Sequence, residues 1–101
     1  MIEVEQTGRA NPFAFAVTVR DAAGETRHRV TMSQADYERL TNGRCPPEHC
    51  IKAALRFLLD REPKEAILAR FDISVIPRYF PNFAHELPRY IASTLAARDG
   101  A

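Results

Sequence analysis

The sequence predicts an α+β fold: an N-terminal antiparallel sheet of two or three strands, then a helical C-terminal two-thirds of short, proline-punctuated helices. Apolar side chains alternate with polar or small ones over residues 2–32, which is the period of a strand. After that segment they recur every three or four residues, which is the period of a helix. At 101 residues the chain is expected to form one domain, 1–101, with a modest core.

The predicted sheet occupies residues 2–32. Residues 2–6 alternate in hydrophobicity, but the pattern leaves open whether this short strand joins the sheet. Residues 13–20, FAFAVTVR, place bulky side chains on one face and small or polar ones on the other. DAAGE supplies Gly24 for a hairpin turn, and TRHRVTM (26–32) returns beside the preceding strand. The result is an antiparallel meander with one apolar face.

Two helices are predicted next, over residues 33–42 and 47–61. Ser33 can cap the first helix, and Gly43 suits a left-handed end after it. Pro47 fits the first position of the second helix, where an amide hydrogen has no partner in any case. The second helix has a broad apolar face, so it is predicted to lie at the centre of the core.

The remaining chain is dense in prolines and aromatic residues but keeps helical spacing. Pro63 again fits a helix start, and an apolar stripe runs from Ile76 to Leu95 at intervals of three or four. The predicted helices cover residues 63–71, 73–80 and 82–97. Because a proline inside a helix costs about 3 kcal/mol, helix breaks are expected around Pro77, Pro81 and Pro88.

One segment of this region forms a recognisable pattern. REPKEAIL (61–68) is followed by Phe71–Asp72, Val75–Ile76 and Tyr79–Phe80–Pro81. Together with scattered positions from Tyr37 onwards, the segment resembles a group of small uncharacterised bacterial proteins that share a REPKEAIL..FD..VI..YFP-like core. The resemblance covers about half of the chain. It implies a compact bacterial module and carries over no catalytic or ligand-binding residue.

Composition and charge narrow the classes of partner. The chain is 46% hydrophobic and 27% charged, as in an ordinary folded protein, and its formal net charge is +1. Balanced charge argues against a general nucleic-acid or anionic-membrane surface. No apolar run approaches the roughly 20 residues of a membrane span, so no membrane partner is expected. The start MIEVEQTG lacks the pattern of a signal peptide, so the expected location is cytoplasmic.

The segment CPPEHC is the candidate for metal or thiol chemistry. It contains Cys45, His49 and Cys50, but a structural zinc site needs four ligands, and the sequence has no second cysteine pair. His28 and His85 would have to converge from distant elements. In a reducing compartment both cysteines are expected to be thiols that pack like small hydrophobic residues. The sequence therefore predicts no metal site, no cofactor and no catalytic residue.

Four Arg-aromatic dipeptides favour a different class of partner. Basic residues interleaved with aromatic ones can follow single-stranded nucleic acid through phosphate contacts and base stacking. The alternative is that each ring faces the core while the arginine stem covers its edge. With balanced charge, nucleic-acid binding is possible but not favoured. The dipeptides are Arg56–Phe57, Arg70–Phe71, Arg78–Tyr79 and Arg89–Tyr90.

The solvent face of the predicted sheet is the candidate interaction face. A solvated antiparallel face is usually polar throughout, whereas this one combines small residues with surrounding arginines. Two interpretations stay open: the face receives a protein partner or a second copy of the chain, or it is plain surface on which alanines cost little, which is slightly favoured. Its residues are Ala14, Ala16, Thr18, Arg20, Arg27 and Arg29.

The sequence leaves three classes of function open. A small non-catalytic protein-interaction or regulatory module comes first, with a homodimer as one form of it. A nucleic-acid-associated small regulator is the alternative. An enzyme comes third, because no nucleophile, acid–base pair, metal set or phosphate loop assembles from the sequence.

Overall fold

The computed structural model describes the backbone of residues 1–99 and the side chains of residues 1–94. Its fold is α+β, as the sequence predicts. The strands are β1 (Ile2–Gly8), β2 (Phe13–Asp21), β3 (Gly24–Met32) and β4 (Arg70–Asp72). The helices are α1 (Gln34–Thr41), α2 (Pro47–Leu59), α3 (Ile76–Tyr79) and α4 (Phe83–Asp99).

The sheet has four strands in the order β1-β2-β3-β4, which exceeds the expected two or three. The first three strands form the antiparallel meander, and β1 pairs with β2 from Ile2 to Gly8. The fourth strand, β4, runs parallel to β3 with Val30 opposite Phe71. The sheet is therefore mixed. Helices also account for less than the expected two-thirds of the chain.

The helix predicted over residues 63–71 is absent, and its place is taken by a single 3-10 turn, Lys64–Ala66, followed by β4. The backbone of this segment forms hydrogen bonds with β3 instead: the Arg29 amide donates to the Ala69 carbonyl at 2.8 Å. Isolated helices of this length are marginal. Pairing with an open strand edge therefore outweighs a local helical pattern.

Helix α1 begins and ends as its sequence predicts. The Ser33 hydroxyl accepts a hydrogen bond from the Asp36 amide at 3.0 Å, which caps the first turn. Asn42 ends the helix with φ 52° and Gly43 follows with φ 71°. The chain therefore leaves α1 through two left-handed residues, for which asparagine and glycine carry the smallest steric cost.

Helix α2 supplies the centre of the hydrophobic core, as predicted. Phe57 is fully buried, and its ring makes edge contacts with Phe80, Phe83 and Tyr90 at centroid distances of 5.1–5.8 Å. Beneath the sheet, α2 contacts β1, and α4 packs against α2. One face of the sheet thus forms one side of the core. The buried residues on this face are Ile2, Phe15, Val17, Val19, His28, Val30, Met32 and Phe71.

The prolines act differently from one another. The predicted helix 73–80 is divided into a 3-10 turn, Ile73–Val75, and the four-residue α3, which has Pro77 near its start. Pro81 lies between α3 and α4. The break expected near Pro88 does not occur, because α4 continues through it. Pro88 and Ala84 are both exposed, so the carbonyl that loses its amide partner can bond to water.

The apolar stripe of α4 continues the core through Phe83, Leu87 and Ile91, which are all buried. The predicted last member of that stripe, Leu95, has a side chain outside the described residues. None of the helices within residues 1–99 has the length and apolarity to cross a membrane.

Candidate interaction face

The outer face of the sheet, defined as the side away from α2, carries the small residues of β2 in its middle. Ala14, Ala16 and Thr18 alternate with buried residues of β2 and are partly exposed. The register places Ala16 between Glu5 of β1 and Arg29 of β3. Longer charged side chains therefore flank a central strip of small ones, and the predicted residues Arg20, Arg27 and Arg29 lie on this same face.

At one end of the outer face the charges neutralise one another within the chain. Arg20 contacts Glu25 at 2.7 Å and Glu3 at 3.5 Å, and Arg27 contacts Glu25 at 3.1 Å. The hydrogen bond from Arg20 lowers the pKa of Glu25, and the bond from Arg27 lowers it further. Arg20 and Arg27 are thus held partly by internal partners and are less available to another molecule.

The middle of the outer face is different. Glu5, Ala16, Arg29 and Arg70 form one cross-strand row, with Arg29 directly opposite Arg70. The three charged residues of this row are exposed, and within the described part of the chain none of them takes part in an ion pair. The row therefore presents an acidic end and a basic end to solvent.

Sequence reasoning missed two parts of this row. The sequence pattern leaves open whether β1 joins the sheet, so it does not place Glu5 on this face. It predicts a helix rather than a strand at Arg70. The alternation of Glu3 and Glu5 with apolar residues was the signal for the first, whereas the three residues of β4 are too few to show a strand period.

At the other end of the outer face, a hydrogen bond between two side chains joins β3 to β4. The Thr31 hydroxyl donates to Asp72 Oδ2 at 2.6 Å, and the Ser74 amide donates to Asp72 Oδ1 at 3.0 Å. Burial opposes ionisation of Asp72, but these hydrogen bonds outweigh it and lower the pKa of the carboxyl group. Asp72 is therefore a charged residue whose hydrogen bonds join β4 to β3 and to the 3-10 turn that follows β4.

The CPPEHC segment lies apart from this face. Cys45 and Cys50 are free thiols, both are buried, and Cys50 Sγ lies 3.7 Å from the sulfur of Met32. Burial raises the pKa of Cys50 to about 12, with a smaller contribution from Cys45, and burial also raises the pKa of Cys45. Among the side chains that the structure describes, no three His, Cys, Asp or Glu residues converge as metal ligands would.

His28 is a buried hydrogen-bonding residue of the sheet. Its Nδ1 lies 2.8 Å from the Leu68 carbonyl oxygen, and its Nε2 lies 2.9 Å from the Thr26 hydroxyl. A carbonyl can only accept, so Nδ1 carries the proton. Both ring nitrogens thus have hydrogen-bond partners, and the contact with Leu68 joins β3 to the segment before β4.

The four Arg-aromatic dipeptides do not form one surface. They lie on α2, β4, α3 and α4, and the rings of Phe57 and Phe71 are buried. Tyr90 is partly buried and its hydroxyl donates to Asp60. The exposed ring is Tyr79, at 69% exposure.

Tyr79 borders a groove of about 450 Å³ between the segment 62–71 and α3. Most of its lining is apolar, and Leu68, which is 53% exposed, forms part of the wall. Glu62 is the one carboxylate among the described lining residues. The groove offers apolar contact area and lacks the paired titratable groups of an acid–base site.

No protein-family model, curated protein or solved structure matches this chain. What the protein does must therefore be inferred from its own side chains, of which the outer face presents the most distinctive arrangement.

Proposed function

We propose that this protein is a small non-catalytic protein-interaction module that binds its partner through the outer face of the sheet. The observation that carries the proposal is the central row, in which the small Ala16 lies between Glu5 and Arg29. A small residue lets another backbone approach closely. The flanking charges can fix orientation and exclude wrong partners.

The chemistry of the face supports a protein partner over a bare solvent surface. Arginine is enriched at protein interfaces because its planar guanidinium makes several directed hydrogen bonds. Arg29 and Arg70 are exposed and adjacent, while the strip beside them consists of small, weakly polar side chains. A partner with carboxylates over these arginines and small or apolar groups over Ala14 and Ala16 would match both features.

The experiment compares Ala16→Glu with the matched control Ser93→Glu, which adds the same charge at an exposed position of α4. Tagged versions of both variants and of the wild type are purified from the native host, and co-purifying proteins are quantified. We expect the specific partners to be lost only with Ala16→Glu, since a long charged side chain would replace the small residue in the contact. Recovery of the same proteins with both variants contradicts the proposal.

A nucleic-acid-associated regulator is the second candidate, supported by the cluster of Arg27, Arg29 and Arg70 on neighbouring strands. Clustered guanidinium groups are suited to phosphate contacts. Glu3, Glu5 and Asp72 lie on the same face and would repel a phosphate backbone, so a protein partner is preferred.

We also propose that the chain belongs to the group of small bacterial proteins that residues 61–81 resemble. This segment forms the turns, β4 and α3, and its buried side chains include Ile67, Phe71, Ile73 and Ile76. If members share the interaction face, they are expected to keep small residues at the positions of Ala14, Ala16 and Thr18.

A further inference from the structure

We propose that the partner of the outer face is a second copy of this chain, packed face to face about a twofold axis that runs parallel to β2 and passes over Ala16. This inference rests on the proposed function and specifies the occupant of the same face. It follows from the order of charges across the sheet.

Two neighbouring rows of the sheet have the same order of charge. In the first, Glu5 pairs with Ala16, which pairs with Arg29; in the second, Glu3 pairs with Thr18, which pairs with Arg27. Each row thus has a carboxylate on one side of β2 and a guanidinium at the same level on the other. Adjacent strands are about 4.8 Å apart, so the two charges lie nearly the same distance from the middle strand.

A twofold axis in the interface, parallel to β2, superposes the two β2 strands and exchanges β1 with β3. Glu5 of one copy then faces Arg29 of the second copy, and the reverse contact is made at the same time. Glu3 and Arg27 face each other in the same way, but each already has an ion-pair partner in its own chain, so the first row contributes more. The interface is self-complementary, as a closed twofold dimer requires.

Two other arrangements of the two copies, one face to face and one edge to edge, bring like charges together. An axis perpendicular to the strands places β1 over β1, so that Glu3 and Glu5 face the glutamates of the second copy. Antiparallel pairing of two β1 edges centred on Val4 places Glu3 opposite Glu5. Like charges directly opposite each other destabilise strand pairs, and charged edge strands oppose edge-to-edge association. The charges therefore select the face-to-face arrangement with the parallel axis.

The sizes of the side chains suit this packing. Facing sheets lie about 10 Å apart, and the central Ala14, Ala16 and Thr18 leave room for that approach. Glu5 and Arg29 are long enough to meet across the gap, and neither takes part in an ion pair within the described residues. The new pairs reduce the cost of desolvating these charges and fix the orientation of the two copies.

The expected dimer is weak. The overlap of β1, β2 and β3 covers a few hundred Å² on each copy, against about 800 Å² for a standard interface. A dissociation constant on the order of tens to a few hundred micromolar is expected for such a contact. Sedimentation velocity over roughly 10–500 µM, a range chosen around that constant, is therefore the suitable measurement.

The decisive test uses two single charge reversals, Glu5→Arg and Arg29→Glu. Each alone places like charges opposite one another in both symmetric contacts, so each is expected to raise the dissociation constant at least about tenfold. An equimolar mixture is expected to restore association. In the mixed pair, each introduced charge faces the opposite introduced charge, and the native Arg29 of one chain faces the native Glu5 of the other.

Isotopic labelling of one variant allows native mass spectrometry to identify the mixed dimer by its mass. Glu38→Arg and Arg78→Glu serve as matched controls, since both reverse a charge at exposed positions on α1 and α3. They are expected to leave the dissociation constant within about twofold of the wild type. All reversed residues are exposed, and near-ultraviolet circular dichroism checks that each variant is folded.

A wild type that stays monomeric over the whole range overturns the inference, and so does a mixture that stays monomeric. The proposed function can still be judged separately. If the wild type is monomeric but Ala16→Glu removes co-purifying proteins, the face binds another protein and only the twofold dimer is wrong.

If the wild type dimerises and Ala16→Glu dimerises equally well, the dimer uses another surface and this inference is wrong. If Ala16→Glu also leaves the co-purifying proteins unchanged, the proposed function is wrong as well.

Discussion

His28 and Leu68, forty positions apart in the chain, are joined by a hydrogen bond of 2.8 Å from the imidazole Nδ1 to the backbone carbonyl. The bond joins the middle of β3 to Leu68, which lies two residues before β4. Because His28 is 3% exposed, water cannot readily replace it there. The imidazole thus takes the place of one ladder hydrogen bond just before the parallel pairing of β3 with β4 begins.

The first prediction follows from that bond. His28→Phe keeps a ring at this position but leaves the Leu68 carbonyl without its donor, which is expected to lower the free energy of unfolding by about 1–3 kcal/mol. Urea unfolding followed by circular dichroism measures the change. Thr26→Val, which removes only the outer partner of the ring, is the control and should cost less. A loss below about 0.5 kcal/mol for His28→Phe would mean that the bond contributes little.

The second prediction concerns the aromatic cluster of α2. Phe57→Ala removes a ring that contacts three other aromatic rings and lies 3.7 Å below the Arg61 guanidinium. The expected loss is about 3–5 kcal/mol of unfolding free energy. The exposed Tyr79→Ala should change it by less than about 0.5 kcal/mol. Similar losses for the two variants would contradict the assignment of Phe57 to the centre of the core.

The third prediction is a loss of stability at alkaline pH that depends on Cys50. Burial raises the pKa of this thiol from 9.0 to about 12, so above pH 9 the unfolded chain releases a proton that the folded chain retains. Stability is then lost as the pH rises from 9 towards 12, by up to about 1.4 kcal/mol per pH unit. Unfolding at pH 8 and pH 10.5 is compared for the wild type and Cys50→Ala. If the free energy of unfolding falls equally between pH 8 and pH 10.5 in the two proteins, the Cys50 thiol makes no such contribution.

The fourth prediction concerns metal. Cys45 and Cys50 are buried thiols with raised pKa values, and the thiolate rather than the thiol binds zinc. The purified protein is expected to contain no stoichiometric zinc, and a chelator should leave its melting temperature unchanged. Elemental analysis and thermal unfolding provide the measurements. One zinc per chain would show that the cysteine segment has a role beyond packing.

The fifth prediction separates the two candidate functions of the outer face. If the face binds nucleic acid, the triple variant of Arg27, Arg29 and Arg70 to alanine should weaken binding uniformly across sequences and flatten its salt dependence. A salt titration against labelled single-stranded oligonucleotides measures this. We expect no saturable binding by the wild type at 150 mM salt, a concentration at which surface charges are largely screened. Tight, salt-dependent binding that the triple variant loses would favour the regulator.

The local features of the fold could be predicted from the sequence because neighbouring residues encode them. The alternation in FAFAVTVR predicts β2 and divides Ala14 and Ala16 from Phe15 and Val17. The cap at Ser33 and the left-handed exit at Gly43 set the limits of α1. For the same reason the small residues and arginines of the candidate face could be placed on one side of the sheet, since a period of two assigns each side chain to a face.

The tertiary structure decided what depends on partners far along the chain. Residues 63–71 have a helical pattern, yet Arg70 to Asp72 form a parallel strand, since pairing with the open edge of β3 satisfies backbone hydrogen bonds of both segments. Pro88 is tolerated because the carbonyl of the exposed Ala84, which loses its amide partner, can bond to water. The strand register alone places Glu5 and Arg29 in one row on either side of Ala16, and a register is set by cross-strand packing that no single segment contains.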